Sequence, residues 1–207
     1  MSKNLKKKKI IVVGVTGQLA TGKSTVAAML AELGAGVINA DLLAHRALRS
    51  NGACFKKVVG TFGNDILKKG EIDRQLLASV VFSNATKLKK LEGIIHPFVI
   101  KETRHQIGMF KKSGKKVVVL DVPLLFESKM NTLTDFTIAV KASRAVQLKR
   151  IAQQKKIERS QALRRMRAQL SMAEKARRAD IIVNNGGTIV KTHQQVKEIL
   201  EMLKRRY

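Results

Sequence analysis

The chain of 207 residues holds one cysteine, Cys54, which excludes an internal disulfide and a cysteine cluster for zinc. Its four histidines are scattered and lack the spacing of metal ligands. Aromatic residues amount to 4% with no Trp, so a base-stacking platform for single-stranded nucleic acid is not expected. No run of about 18 apolar residues occurs, and nothing in the sequence reads as a membrane span. The apolar stretch after Lys6 to Lys9 ends at Gly14, Thr16 and Gly17, too early for the core of a secretory signal. Only two prolines, Pro97 and Pro123, are present, and no linker is evident. Acidic residues are scarce: 15 Asp plus Glu against 41 Lys plus Arg leave +26 at pH 7. That excess calls for anionic partners without choosing among nucleotides, nucleic acid and acidic surfaces. A reducing, cytoplasmic setting is the expectation.

What is present is a core. With 44% hydrophobic residues, the chain suffices for a single domain over 1–207. Five β-branched runs predict strands near 10–15, 36–38, 117–120, 136–140 and 181–183. Several are almost continuously apolar, as strands buried on both faces of a parallel sheet are. Val26, Met29, Leu30 and Leu33 keep one helical face, as do Val196, Ile199, Leu200 and Leu203. Strands alternating with helices predict an α/β fold, a doubly wound parallel five-stranded sheet. Residues 42–116 are longer than a crossover needs and read as wholly helical, an insertion. A second excursion, about 144–180, reads as a lid; residues 141–180 carry 13 Lys and Arg against Glu158, Glu174 and Asp180. Most of those cations are expected on a solvated surface.

Directly after the first strand comes Gly17-Gln18-Leu19-Ala20-Thr21-Gly22-Lys23-Ser24-Thr25, a G-x-x-x-x-G-K-[ST] phosphate-binding loop in its strand-then-helix context. Gly17 and Gly22 let successive backbone N–H groups turn toward a polyphosphate, and the helix that follows adds its positive end. Ala20, Thr21, Gly22, Lys23, Ser24 and Thr25 are therefore expected to bind a nucleoside triphosphate, which the resemblance below makes ATP. Lys23 suits the β- and γ-phosphates, and the Ser24 hydroxyl suits Mg²⁺. A small P-loop protein with two helical excursions points to a kinase for a small molecule.

Further segments narrow the reading. Val37-Ile38-Asn39-Ala40-Asp41, Ile95-His96-Pro97, Asp121-Val122-Pro123-Leu124-Leu125-Phe126-Glu127, Arg165-x-x-x-Gln169 and Ala179-Asp180-Ile181-Ile182-Val183-Asn184-Asn185-Gly186-Gly187 follow in order. With the P-loop they resemble the dephospho-CoA kinase family over nearly the whole chain. The resemblance implies transfer of the γ-phosphoryl of ATP to the ribose 3′-hydroxyl of dephospho-CoA, giving CoA and ADP, the last step of CoA biosynthesis. It implies a P-loop kinase core with a helical substrate-binding insertion and a lid, Mg²⁺ accompanying ATP, and no specific nucleic-acid or membrane partner.

The same resemblance implies site residues. Asp41 corresponds to the family's catalytic carboxylate, with Lys23 and Arg150 completing the catalytic set. Arg165, Asn185 and Gly187 border ATP, and Asp41, His96, Pro123 and Leu124 contact the acceptor. Asp121 reads either as a strand cap or as a water-mediated Mg²⁺ ligand. Read from the residues alone, Asp41 serves equally as an N-cap. Arg164 and Arg167 compete with Arg165, and His96 reads more readily as a structural imidazole at a helix start with Pro97 in the first turn. Glu127 matches the motif without a role of its own. Three departures stand out: Asn39 where relatives carry an Asp, Gln18-Leu19-Ala20-Thr21 in place of a glycine-richer loop, and His45 where Arg is common. The competing readings are another small-molecule kinase on the same scaffold and a basic nucleic-acid-binding protein.

Overall fold

The computed structural model describes residues 10–82, 84–154, 166–167 and 169–206. Its apolar runs become five parallel strands: β1 (Ile11–Thr16), β2 (Gly36–Asn39), β5 (Val117–Asp121), β6 (Phe136–Lys141) and β7 (Ile181–Asn184). They lie in the order β2-β5-β1-β6-β7, so β1 is central. Its register runs from Ile11 opposite Val117 to Val15 opposite Asp121, and from Val13 opposite Phe136 to Thr16 opposite Ala139. Every residue of β1 is buried, as a middle strand covered on both faces requires.

Alternation along β1 decides what each face holds. Ile11, Val13 and Val15 join Val119, Ile138, Val140 and Val183 in one core cluster. Two helices complete it: α1 (Lys23–Glu32) through Val26, Met29 and Leu30, and the C-terminal α8 (Ile189–Arg206) through Val196, Ile199, Leu200 and Leu203. These are the two faces that helical periodicity selects. The opposite face of β1 meets the loop after β5. A β-carbon on Gly14 would stand 2.7 Å from the Leu125 side chain, so that loop lies close against the strand. The remaining helices of this unit are α6 (Arg144–Gln154) and α7 (Met172–Arg178). Part of the expected 144–180 excursion lies outside the described residues.

The chain divides into two compact units, 39–105 and the remainder. The 39–105 unit contains α2 (Ala40–Ala47), α3 (Phe55–Phe62), α4 (Arg74–Phe82) and most of α5 (Ala85–Lys112). Its own core gathers Ala47, Cys54, Val58, Ile66, Ile72, Leu77 and Val81. Burial pushes the Cys54 thiol up, with Lys57 working against it. This unit is not wholly helical: β3 (Leu67–Lys68) and β4 (Glu71–Ile72) pair antiparallel. The two-residue turn Lys69-Gly70 has φ of 52° and 80°, the positive pair that a tight hairpin of matching twist needs. Pro97 also departs from expectation, since it sits inside the 28-residue α5 and not in a first turn. It removes one helical donor, and the carbonyl four residues back belongs to Gly93, where no side chain crowds the adjustment.

Candidate active site

The loop between β1 and α1 is a backbone cradle held from behind. Gly22 has φ 84° and caps α1, a conformation that favours glycine. Thr21, fully buried, closes the loop by donating from its hydroxyl to the Gln18 carbonyl at 2.9 Å. Asn185, just beyond β7, donates from its side-chain amide to the Thr21 carbonyl at 2.8 Å. Its side-chain oxygen accepts from the Thr192 hydroxyl at 2.9 Å, so both ends of this buried amide are engaged. Arg150 on α6 donates to the Ala20 carbonyl at 3.2 Å and to the Asn185 carbonyl at 2.8 Å. Five of the expected site residues thus meet at one loop: Ala20, Thr21, Gly22, Arg150 and Asn185.

Charge is concentrated at the loop's floor. Lys23, in the first turn of α1, forms a buried ion pair with Asp121 at the end of β5. The Ser24 hydroxyl donates to the other Asp121 oxygen at 3.2 Å. The β1–β5 register brings this about by setting Val15 beside Asp121, one residue short of the P-loop's root at Thr16. Asp121 is therefore more than a strand cap: it lies against the lysine and the hydroxyl that the phosphate-loop pattern singles out.

Beneath this lies a second pair. Lys175 on α7 is fully buried and bridges to Glu127 at 2.9 Å. Its ammonium also donates to the Pro123 carbonyl at 2.6 Å and to the Thr16 hydroxyl at 3.4 Å. Burial draws its proton affinity down, Glu127 draws it back up, and the nearby Lys23 ammonium lowers it again.

The sequence of this chain matches the family model for dephospho-CoA kinase over residues 11–191. The chain belongs to the dephospho-CoA kinase family. The family's chemistry is phosphorylation of dephospho-CoA in CoA biosynthesis, which makes the chain a phosphotransferase. A dephospho-CoA kinase of Bacillus cereus is 41% identical over 192 residues, covering 92% of this chain and 96% of that protein. The dephospho-CoA kinase of Campylobacter jejuni superposes with a TM-score of 0.68 at 32% identity, covering 95% of this chain and 98% of that one. TT1252 of Thermus thermophilus superposes with a TM-score of 0.80 at 32% identity, covering 95% and 99%.

The other residues that the dephospho-CoA kinase resemblance implicates lie on several different elements. Asp41 lies in the first turn of α2, exposed, in the 39–105 unit. The N-cap of that helix is Asn39, whose side chain accepts from the Leu42 N–H at 2.9 Å. The capping role read for Asp41 thus belongs to Asn39. His45, one turn on from Asp41, has its pKa lowered by burial and by Arg74, against a raising effect of Asp41. His96 sits half-buried within α5, its pKa lowered by burial and raised less by Glu92. Pro123 and Leu124 are half-buried on the loop after β5, and Gly187 is exposed beyond β7. Thr25 is exposed on α1. Arg165 and its competitor Arg164 lie outside the described residues.

Sequence reasoning missed Gln18, Thr192 and Lys175. Gln18 donates from its side chain to the Leu170 carbonyl at 3.3 Å. Leu19 and Ala20 pack against Ile151 and Met166. The glycine-poor loop thus uses its extra side chains to hold the segment on its flank, which the pattern G-x-x-x-x-G-K leaves unspecified.

Proposed function

We propose that this chain transfers the γ-phosphoryl of ATP to the ribose 3′-hydroxyl of dephospho-CoA, releasing CoA and ADP. The observation that carries the reading is the Lys23–Asp121–Ser24 cluster at the root of a glycine-hinged phosphate loop, in a chain of this family. Phosphoryl transfer asks little covalent chemistry of a protein; it asks for positioning and for neutralisation of charge on the equatorial oxygens. The backbone N–H groups of 20–25 and the N-terminus of α1 receive the β- and γ-phosphates. Lys23 exchanges its carboxylate partner for them. Arg150, fixed beside the loop by two carbonyls, adds a second positive group.

Asp41 is the carboxylate that orients or deprotonates the attacking hydroxyl, which is a poor nucleophile without such a partner. His96, Pro123 and Leu124 line the acceptor, and Gly187 borders adenine. Asn185 acts from behind, since its side chain is committed to the loop.

The Ser24 hydroxyl and the Asp121 carboxylate, 3.2 Å apart, are hard oxygen donors of the kind Mg²⁺ takes, Asp121 acting through water. When bound with ATP, the ion neutralises charge on the phosphates. Its residues here would be Ser24 and Asp121. No helix among the described residues is long and apolar enough to cross a membrane. The lone buried thiol of Cys54 suits a reducing compartment such as the cytoplasm.

The test is stoichiometry. With ATP and Mg²⁺, ADP should form only when dephospho-CoA is added, one for one, and the product should carry a new 3′-phosphate. Faster turnover of a nucleoside monophosphate would transfer the reading to another small-molecule kinase.

A further inference from the structure

An ammonium with no exposed surface is expensive to bury, and an apolar side chain of similar volume is commonly as stable or more so. Lys175 is such a group, on a short helix whose other cations, Arg177 and Arg178, pair with Glu174 near the surface. What it holds explains its place. Its partner Glu127 accepts the Leu170 N–H at 2.9 Å. The Leu170 carbonyl accepts from Gln18 of the P-loop at 3.3 Å. On its other side, the ammonium reaches the Pro123 carbonyl, which also accepts the Thr16 hydroxyl at 3.0 Å. Thr16 directly precedes Gly17, and Pro123 follows Asp121 by two residues. The bonds close a circuit: Gln18 at the start of the P-loop, Leu170, Glu127, Lys175, then Thr16 at the loop's root and the strand end that carries Asp121.

We infer that Lys175 and Glu127 are positioning residues for phosphoryl transfer, a buried ion pair that fixes the entry to the P-loop from two sides, through Gln18 and through Thr16. Neither touches the reacting atoms. They act through Gln18, Thr16 and the Pro123 carbonyl, and their effect is on where the loop's N–H groups and Asp121 stand. The inference rests on the kinase reading only for the use of the loop, since any reaction that grips ATP there depends on the same geometry.

The decisive comparison is the double variant Glu127→Leu/Lys175→Met. It removes both charges and leaves no buried ion without a partner, so thermal stability should return to near the wild-type value after the loss seen in Lys175→Met alone. ATP affinity, measured by calorimetry without any acceptor, should still be weaker by about tenfold or more, because misplacement of the loop remains. Turnover with saturating ATP should fall as well. A double variant that regains both stability and wild-type ATP affinity would show the pair to be structural only and would overturn the inference. Glu127→Gln is the second arm, whether or not the double variant folds. Its amide oxygen can keep the Leu170 N–H, so its ATP affinity should lie between those of the wild type and Glu127→Leu. Equal losses in Gln and Leu would contradict the route through Leu170. Because the affinity readout needs no acceptor, it stands even where dephospho-CoA proves not to be phosphorylated; failure there marks the function, not this pair.

Discussion

The side-chain amide of Asn185 occupies the space that a β-carbon on Gly22 would need, and from there it binds the Thr21 carbonyl. Gly22 is thus required twice, for its φ of 84° and for this close approach. Asn185 cannot easily withdraw, since Thr192 holds its oxygen and Arg150 its carbonyl. Gly22→Ala should weaken ATP binding by about 10²-fold, the scale of a misplaced phosphate cradle. Combining it with Asn185→Ala should restore only part of the affinity, because the backbone conformation is still resisted. Titration calorimetry on the three proteins checks the order.

Lys23→Met should abolish measurable transfer and also lower stability. Asp121 is 2% exposed and would lose its buried cation, a change of about 3 kcal/mol. Urea midpoints for the wild type, Lys23→Met and Lys23→Met/Asp121→Asn check it. The double variant should recover stability but not activity.

The strands were legible because burial on both faces leaves continuous apolar runs, and Ile11–Thr16 and Val117–Asp121 differ from the expected spans only at their ends. The P-loop was legible because its chemistry demands particular residues at fixed spacing. Two features of the 39–105 unit were not. Strands of two residues, Leu67–Lys68 and Glu71–Ile72, are too short to show a period. Pro97 signals a helix start by local rules, yet α5 continues through it on the packing of partly buried Ile94 and Phe98 against the unit's core. At the site, Lys175 reads as one cation of a basic surface. Only the fold reveals that its helix turns it inward to Glu127.

Ala20 stands at φ 61°, a left-handed conformation that an alanine adopts at a cost of about 1–2 kcal/mol. Its contact with Ile151 and Met166 offsets part of this. Ala20→Gly should therefore raise stability modestly, by about 0.5–1 kcal/mol, with turnover kept. A lower urea midpoint would show that the packing of the methyl outweighs the strain.

Glu71 accepts from the backbone N–H of Ser50 at 3.0 Å and from its hydroxyl, and these bonds hold its carboxyl below the usual range. The folded state therefore binds a proton less readily than the unfolded chain. The stabilisation is complete above the ordinary glutamate pKa and is lost as pH falls through the lower folded value. Glu71→Gln should flatten the acid side of the stability profile relative to the wild type. Denaturant midpoints between neutral and acid pH check this, and parallel profiles would contradict it.

The central claim is most directly tested by Asp41→Asn, assayed for 3′-phosphorylation of dephospho-CoA beside the wild type. Turnover should fall by about 10²–10⁴-fold while ATP binding stays close to the wild-type value, because an amide cannot take the hydroxyl's proton. Turnover near the wild-type rate would contradict the account, since the acceptor would then be activated by some other group.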